Sequence, residues 1–361
     1  MTSAPCAQRA AYGRPAGMSN VLEPEQASPA ATDGEIAAIN LESARRSAWA
    51  RFARDPRLPG AAETIVEHER LAAQFLGDLD ALDRMDALAS QFADVDRSYR
   101  APLVQAEVAA TAHRFAEGRD HLARAAQMGG PTEAVERQTL AIDQACGMEL
   151  ESVLARRRCM AAASGRLEDL VPLGAVLADL ECVAEADVTY RKALYSYDDV
   201  SPFPLAWVCF QLGVLWGELA PIPDLHEAAL WYHRAISYVP RYVKARVHLA
   251  EIYADQGDIG EAEVLLLRAL ASRDPEVRWR LADVLVTQGR SAEAETHLEA
   301  ARLRFEELLE GHVLAFADHA AEFYAGSGND RRRALDLARA NVANRPTRRA
   351  LKQAHALEAK P

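Results

Sequence analysis

Along most of the chain apolar residues recur at helical intervals, and the breaks between stretches come in pairs. The pattern is clearest in the C-terminal third. Val247, Leu249, Ile252 and Tyr253 fall near one stripe, and Gly257-Asp258 interrupts it. Ala262, Leu266 and Ala269 then mark a second stripe. Asp258 with Glu261 three residues on has the form of a capping box for that second helix. The unit is therefore helix, tight turn, helix. It is stated again 32 residues later, with Leu281-Ala282 on Leu249-Ala250, Gly289 on Gly257, Ala294 on Ala262, Leu298 on Leu266 and Ala301 on Ala269.

The same slots can be followed outward. Leu212-Gly213, Trp216, Ala228, Tyr232, Ala235 and Pro240 fit them with three extra residues in a turn around Pro221 and Pro223, where Asp224 and Glu227 start the second helix. Leu173-Gly174, Leu177, Ala186, Tyr190 and Ala193 fit with full spacing, and Ala321, Tyr324, Ala334, Ala338 and Pro346 fit with one added residue. Upstream the helical pattern continues with a weaker signature. A single helix is expected over 35–54, stopping at Asp55-Pro56. Helical pairs follow over 61–95, 100–128 and 132–165, turning near Gly77-Asp78, between His113 and Ala116, and at Gly147. Residues 347–358 read as a closing helix with a polar outer face, as the end of a stacked array requires.

This order of Leu-Ala, aromatic, Gly, Ala, large apolar, Ala and Pro resembles the tetratricopeptide repeat, a pair of helices in about 34 residues. The resemblance implies an all-α fold, a right-handed α-solenoid of about eight helical pairs with a C-terminal capping helix. It divides the chain into a disordered leader over 1–33, degenerate pairs over 34–166, recognisable units over 167–346, and a capping helix and tail over 347–361. The leader reading rests on Pro5, Pro15, Pro24 and Pro29 scattered among small and polar residues.

Bulk composition narrows the class. Half of the residues are hydrophobic, enough for a continuous core. The formal net charge of −12 argues against a nucleic-acid or anionic-membrane partner. The runs Arg156-Arg157-Arg158 and Arg331-Arg332-Arg333 read as solvated helix charge. Five widely spaced cysteines without a CxxC fit a reducing compartment, and no apolar run reaches membrane-spanning length, so a cytoplasmic, bacterial-type protein is expected.

Catalytic patterns are missing from the sequence: GxxxxGK[ST], GxGxxG and GxSxG do not occur, and Leu230 stands where a zincin would need its second His after His226-Glu227. Two His pairs seven residues apart, His226/His233 and His312/His319, make at most half a metal site each. Asp318 and Glu322 flanking His319 read as solvated carboxylates rather than an acid–base set. No enzyme activity, metal or cofactor is expected.

Function would then lie on a surface. The family resemblance implies that positions 2, 5, 9, 12 and 13 of each unit face the concave groove. With position 8 at Gly174, Gly213, Ala250, Ala282 and Ala321, the partner-binding groove comprises Trp207, Phe210, Glu218, Lys244, Val247, Glu251, Asp255, Glu276, Trp279, Asp283, Asp318 and Glu322, continued earlier by Glu168, Val171 and Asp179. This lining is acidic with aromatic anchors, which suits a protein or peptide segment that is basic with an apolar anchor. The opposing expectation for Trp207 and Trp279 is packing between neighbouring repeats. An acidic groove without Asn at position 9 is expected to reject the C-terminal carboxylate that chaperone-binding members of the family grip. The reading is a non-catalytic interaction scaffold or adaptor. The alternative is an accessory or regulatory subunit of an enzyme system, with a ligand or active site in the N-terminal helices.

Overall fold

A computed structural model describes residues 29–359, all of them helix, turn or loop. The expected leader falls mostly outside the described residues. Its last part, 29–33, is bonded into the fold: the Thr32 amide donates to the Val200 carbonyl at 2.8 Å, and the Asp33 carboxylate caps the first helix through the Glu35 and Ile36 amides.

Helix α1 (Gly34–Arg54) stands alone. Eight antiparallel pairs follow it: α2/α3 (Ala61–Leu76, Ala81–Val95), α4/α5 (Arg100–Thr111, Phe115–Gln127), α6/α7 (Thr132–Ala145, Leu150–Ser164) and α8/α9 (Leu167–Asp179, Val183–Tyr195). Next come α10/α11 (Pro202–Val214, Leu225–Tyr238) and α12/α13 (Val243–Gln256, Ile259–Ala269). Helix α14 (Pro275–Thr287) pairs with the first part of α15 (Ser291–Ala325). The second part of α15 pairs with α16 (Arg331–Asn344), and α17 (Arg348–Ala359) closes the array. Each helix packs chiefly on its neighbours in sequence, which makes the fold an all-α solenoid.

The repeated small residues set how closely the two helices of a unit approach. A Cβ on Gly174 would lie 2.7 Å from the Tyr190 ring, and one on Gly213 would lie 2.4 Å from the Tyr232 ring. The next two units put Ala250 and Ala282 in that slot, and there the facing residue is the slimmer Leu266 or Leu298. Small and large residues are thus matched within each unit.

Two local expectations change. Asp258 makes no side-chain cap to α13, whereas Asp224 does accept from the Glu227 amide at 3.0 Å. Between the fourth and fifth recognisable units the helix is not ended: α15 runs on and bends, just after Gly311, at His312, where φ is −138° and ψ is 48°. The extra residues before Pro221 are absorbed by a π turn over Leu215–Leu219 that ends α10.

The array closes on itself. The end of α2 docks across the starts of α10, α12 and α14: the Phe75 ring lies 5.0 Å from Phe203 and 4.6 Å from Tyr242. Asp80 in the α2–α3 turn accepts from Arg304 at 2.6 Å and also pairs with Arg273. His312 at the α15 bend bonds Asp83 at 2.9 Å, and the Asn344 amide donates to the His113 carbonyl at 2.9 Å. The N-terminal hairpins therefore cover the starts of α10, α12 and α14, because Phe75 finds its apolar partners there.

Candidate functional site

Helical period puts one stripe of charged residues along α12 and the same stripe along α14. Lys244, His248, Glu251 and Asp255 stand at i, i+4, i+7 and i+11 of α12, and Glu276, Arg280, Asp283 and Thr287 take the equivalent places in α14. The opposite faces of these helices are buried apolar surface, so the charged stripes look inward to a shared space. The second part of α15 adds His319 and Glu322, the π turn adds Glu218, and α17 adds Arg349. Together they surround a cavity of about 610 Å³, whose apolar wall includes Leu225, Tyr232, Ile259 and Val284.

The charges form a linked network. His248 Nδ1 sits 3.0 Å from Glu218 and 3.6 Å from Glu251. Arg280 bridges Glu251 at 2.5 Å and Glu322 at 2.7 Å. His319 Nδ1 lies 2.7 Å from Glu276, Arg345 pairs with Asp318, and Arg349 reaches Glu218 at 3.2 Å. The groups are deep in the molecule yet wetted: the Glu276 side chain is 15% exposed and that of Glu322 is 50%.

Proton affinities follow from this arrangement. The Glu276 carboxylate beside it lifts His319 to about 9, against the opposing cost of burial. Burial alone would raise Glu276, but the charge and hydrogen bond of His319, with Lys244 nearby, hold it well below the ordinary carboxylate range. Burial lifts Asp274, the N-cap of α14, to about 6, helped by the adjacent Glu276 charge. Burial also raises Glu251 and Asp283, with Arg280 pulling the other way in both. In His248 and Glu218 their mutual hydrogen bond overcomes burial, raising the histidine and lowering the carboxylate.

The expected groove residues divide into two groups. Glu218, Lys244, Glu251, Glu276, Asp283, Asp318 and Glu322 converge on the cavity and its surrounding network, and Asp255 lies exposed at its edge. The apolar members do not present themselves to it. Trp279 is 2% exposed, packed against Phe323 at 5.5 Å and Phe305 at 6.4 Å, with its indole N–H donating to Ser327. Phe210 and Val247 are buried, and the half-buried Trp207 stacks on Phe210 at 5.8 Å. Their rings fill space between neighbouring units, where burial of a large apolar surface outweighs display to solvent.

Sequence reasoning missed the cations. Arg280 follows Trp279 directly and was hidden by it, while Arg349 lies on a closing helix whose polar face was expected to point outward. His319 was weighed as a metal ligand with His312, but the two bond different carboxylates, Glu276 and Asp83. Among the described residues, no cluster of three or more His, Cys, Asp or Glu side chains is arranged to hold a metal. The N-terminal helices do contain one convergent polar cluster. Buried Glu69 accepts from Arg45 at 2.7 Å, Arg84 at 2.8 Å and the Trp49 indole at 2.8 Å. Both of its oxygens are engaged by these donors, which makes it a clamp joining α1, α2 and α3.

Comparison with known proteins agrees with this architecture. The family model described as tetratricopeptide repeat matches residues 243–268 and 275–300, the two helical pairs that carry the charged stripes. No curated protein matches the chain. Among solved structures, the chain is similar to one in the crystal structure of the APC/C hetero-tetramer Cut9-Hcn1, with 14% identity and a TM-score of 0.50, covering 75% of this chain and 52% of that one. It thus spans about half the length of that protein. It is also similar to a tetratricopeptide repeat protein from Parabacteroides merdae, with 14% identity and a TM-score of 0.42, covering 73% of this chain and 100% of that one. At 14% identity the first of these likenesses speaks for the fold alone. No described helix is long and apolar enough to cross a membrane. With two of its helical pairs matched in sequence and all of them stacked into an all-helical solenoid, the chain contains tetratricopeptide repeats over residues 243–300.

Proposed function

We propose that this protein is a non-catalytic interaction scaffold that receives a basic protein segment in the charged cavity between α12, α14 and α15. Tetratricopeptide repeat arrays are generally protein-binding scaffolds, which is the coarse part of this reading. The observation that carries the finer part is the charge imbalance of the lining. Glu218, Glu251, Asp255, Glu276, Asp283 and Glu322 line the cavity against Arg280, Arg349 and two histidines, of which His319 is held cationic by Glu276, so carboxylates remain in excess. Asp255 and Asp283 form no ion pair among the described residues. The two arginines present show the geometry in which a guanidinium is held there, Arg280 bridging two carboxylates at once. An acidic cavity favours a cationic partner through faster encounter and through rejection of anionic competitors.

The apolar anchor of such a segment would rest on Leu225 and Ile259 at the cavity wall rather than on the buried Trp279 or Phe210. Three further supports favour a scaffold over a catalyst. The cavity histidines are paired with carboxylates, Glu251 and Glu322 are bridged by Arg280, and both oxygens of Glu69 in the N-terminal cluster are engaged by donors.

The test is a titration of a fluorescein-labelled arginine-rich peptide against the full chain and against an Asp255→Lys, Asp283→Lys, Glu322→Lys variant. Reversing three charges on the wetted side of the cavity is expected to weaken binding by at least about tenfold at physiological salt. Equal affinity for both proteins would place the peptide elsewhere and reject the cavity as the site.

A further inference from the structure

Helix α17 is attached with little apolar surface. Its buried residues are two alanines, Ala350 and Ala354, while Leu351 is 38% exposed. Leu357 packs at the edge of the core of the last units, and the rest of the attachment is polar. Arg348 reaches across to Glu181 in the α8–α9 turn, Arg349 reaches Glu218, and the Gln353 side-chain amide donates to the Asp318 carbonyl at 2.8 Å. The Arg348 and Arg349 side chains are 70% and 63% exposed. Ion pairs this open to water hold weakly and weaken further with salt. An end helix held in this way opens locally far more easily than the array unfolds.

Arg349 is nevertheless one of the two arginines lining the cavity, and it arrives from outside the helices that build the charged stripes. Its partner Glu218 is held on the π turn and is also bonded by His248, so the carboxylate is fixed in place whether or not α17 is docked. The Pro346 and Thr347 stretch that leads into α17 passes directly over Gly147, where a Cβ would lie 3.4 Å from Thr347 Cα. The start of α17 thus delivers Arg349 into the acidic cavity while the adjacent Arg348 anchors beside it on Glu181.

We propose that α17 is an internal ligand of the cavity, and that a partner segment carrying adjacent arginines at the start of a helix displaces it. This rests on the cavity being the binding site, as proposed above. The partner chemistry is read from the helix it replaces: one guanidinium for Glu218, a second for Glu181, and a small-residue face like that of Ala350 and Ala354. Partner affinity is then reduced by the fraction of molecules in which α17 is docked. Loosening α17 raises affinity without adding a contact to the partner.

The probe is a labelled synthetic peptide with the sequence of residues 345–359, added to the full chain. Saturating the wild-type protein with it is expected to speed amide hydrogen exchange across 348–359. Arg349→Ala is expected to bind the same peptide several-fold tighter, because it weakens the internal contact that competes for Glu218. Glu218→Gln is expected to weaken binding in both backgrounds. The wild-type exchange experiment decides the matter even if a variant folds poorly. Peptide binding with unchanged exchange in 348–359 overturns the internal-ligand proposal while leaving the cavity as the binding site. If neither this peptide nor an arginine-rich one binds, the cavity reading falls, and this proposal falls with it.

Discussion

At the scale of single residues, the His319–Glu276 pair dominates the titration of the cavity. His319 faces Glu276 from α14, Asp318 from its own helix and Lys244 from α12. Its folded-state value of about 9 lies above its unfolded value of 6.5, so its contribution is complete below pH 6.5 and is lost as pH rises through 9. Glu276 is shifted the other way, and its contribution is complete above about pH 4.5 and lost in acid. The pair is therefore most stabilising between those limits. The imidazole is about a third open to water. After allowing for screening, stability should fall by about 1–2 kcal/mol between pH 6.5 and 9. Urea unfolding at several pH values checks this, and His319→Gln should flatten the slope in that range. An unchanged slope in the variant would show that another group titrates. The carboxylates of this set were legible in the sequence because groove positions follow from repeat register. The cations were not, since an arginine beside a tryptophan and one on an end helix carry no periodic signal.

At the scale of elements, the sequence was legible wherever a turn residue interrupts helical period. The helix pairs of the N-terminal half and the turn at Gly257 lie where glycine takes positive φ or the stripe breaks. In the stretch from Leu303 to His319 a lone Gly311 sits inside an otherwise continuous helical pattern, so the bend of α15 at His312 is not legible as a turn. Position 8 shows how an element is specified by a pair rather than a residue. Gly213 allows the Tyr232 ring to approach to a distance that no Cβ tolerates. Gly213→Ala is expected to destabilise the protein by about 1–3 kcal/mol. Adding Tyr232→Leu should recover part of that loss, because the double variant recreates the Ala250/Leu266 pairing of the next unit. Thermal melting of the two single variants and the double variant measures the coupling, and strict additivity would contradict the account.

At the scale of the whole molecule, closure was not legible at all. The contacts that make it join residues more than a hundred apart in sequence, such as Phe75 with Tyr242 and Asp80 with Arg304, and no local pattern announces them. The expected apolar anchors are unavailable because their rings pack between neighbouring units, whereas closure joins the N-terminal hairpins to the starts of α10, α12 and α14. Closure also makes the ends of the array depend on each other. Asp80→Lys would set a third cation against Arg273 and Arg304. We expect a melting temperature lower by about 2–4 °C, for a loss of about 1 kcal/mol, and faster exchange in the α2–α3 turn. An unchanged melting temperature would mean that the turn contributes nothing to holding the array closed.

The central claim is that the closed array selects a basic segment by the charge of its cavity. Its most direct test is fluorescence anisotropy with two labelled peptides of equal length, one arginine-rich and one acidic with a free C-terminal carboxylate, each titrated with the full chain at low and high salt. The account predicts that the basic peptide binds, that salt weakens it, and that the acidic peptide does not bind. Micromolar binding of the acidic peptide, or salt-independent binding of both, would contradict it.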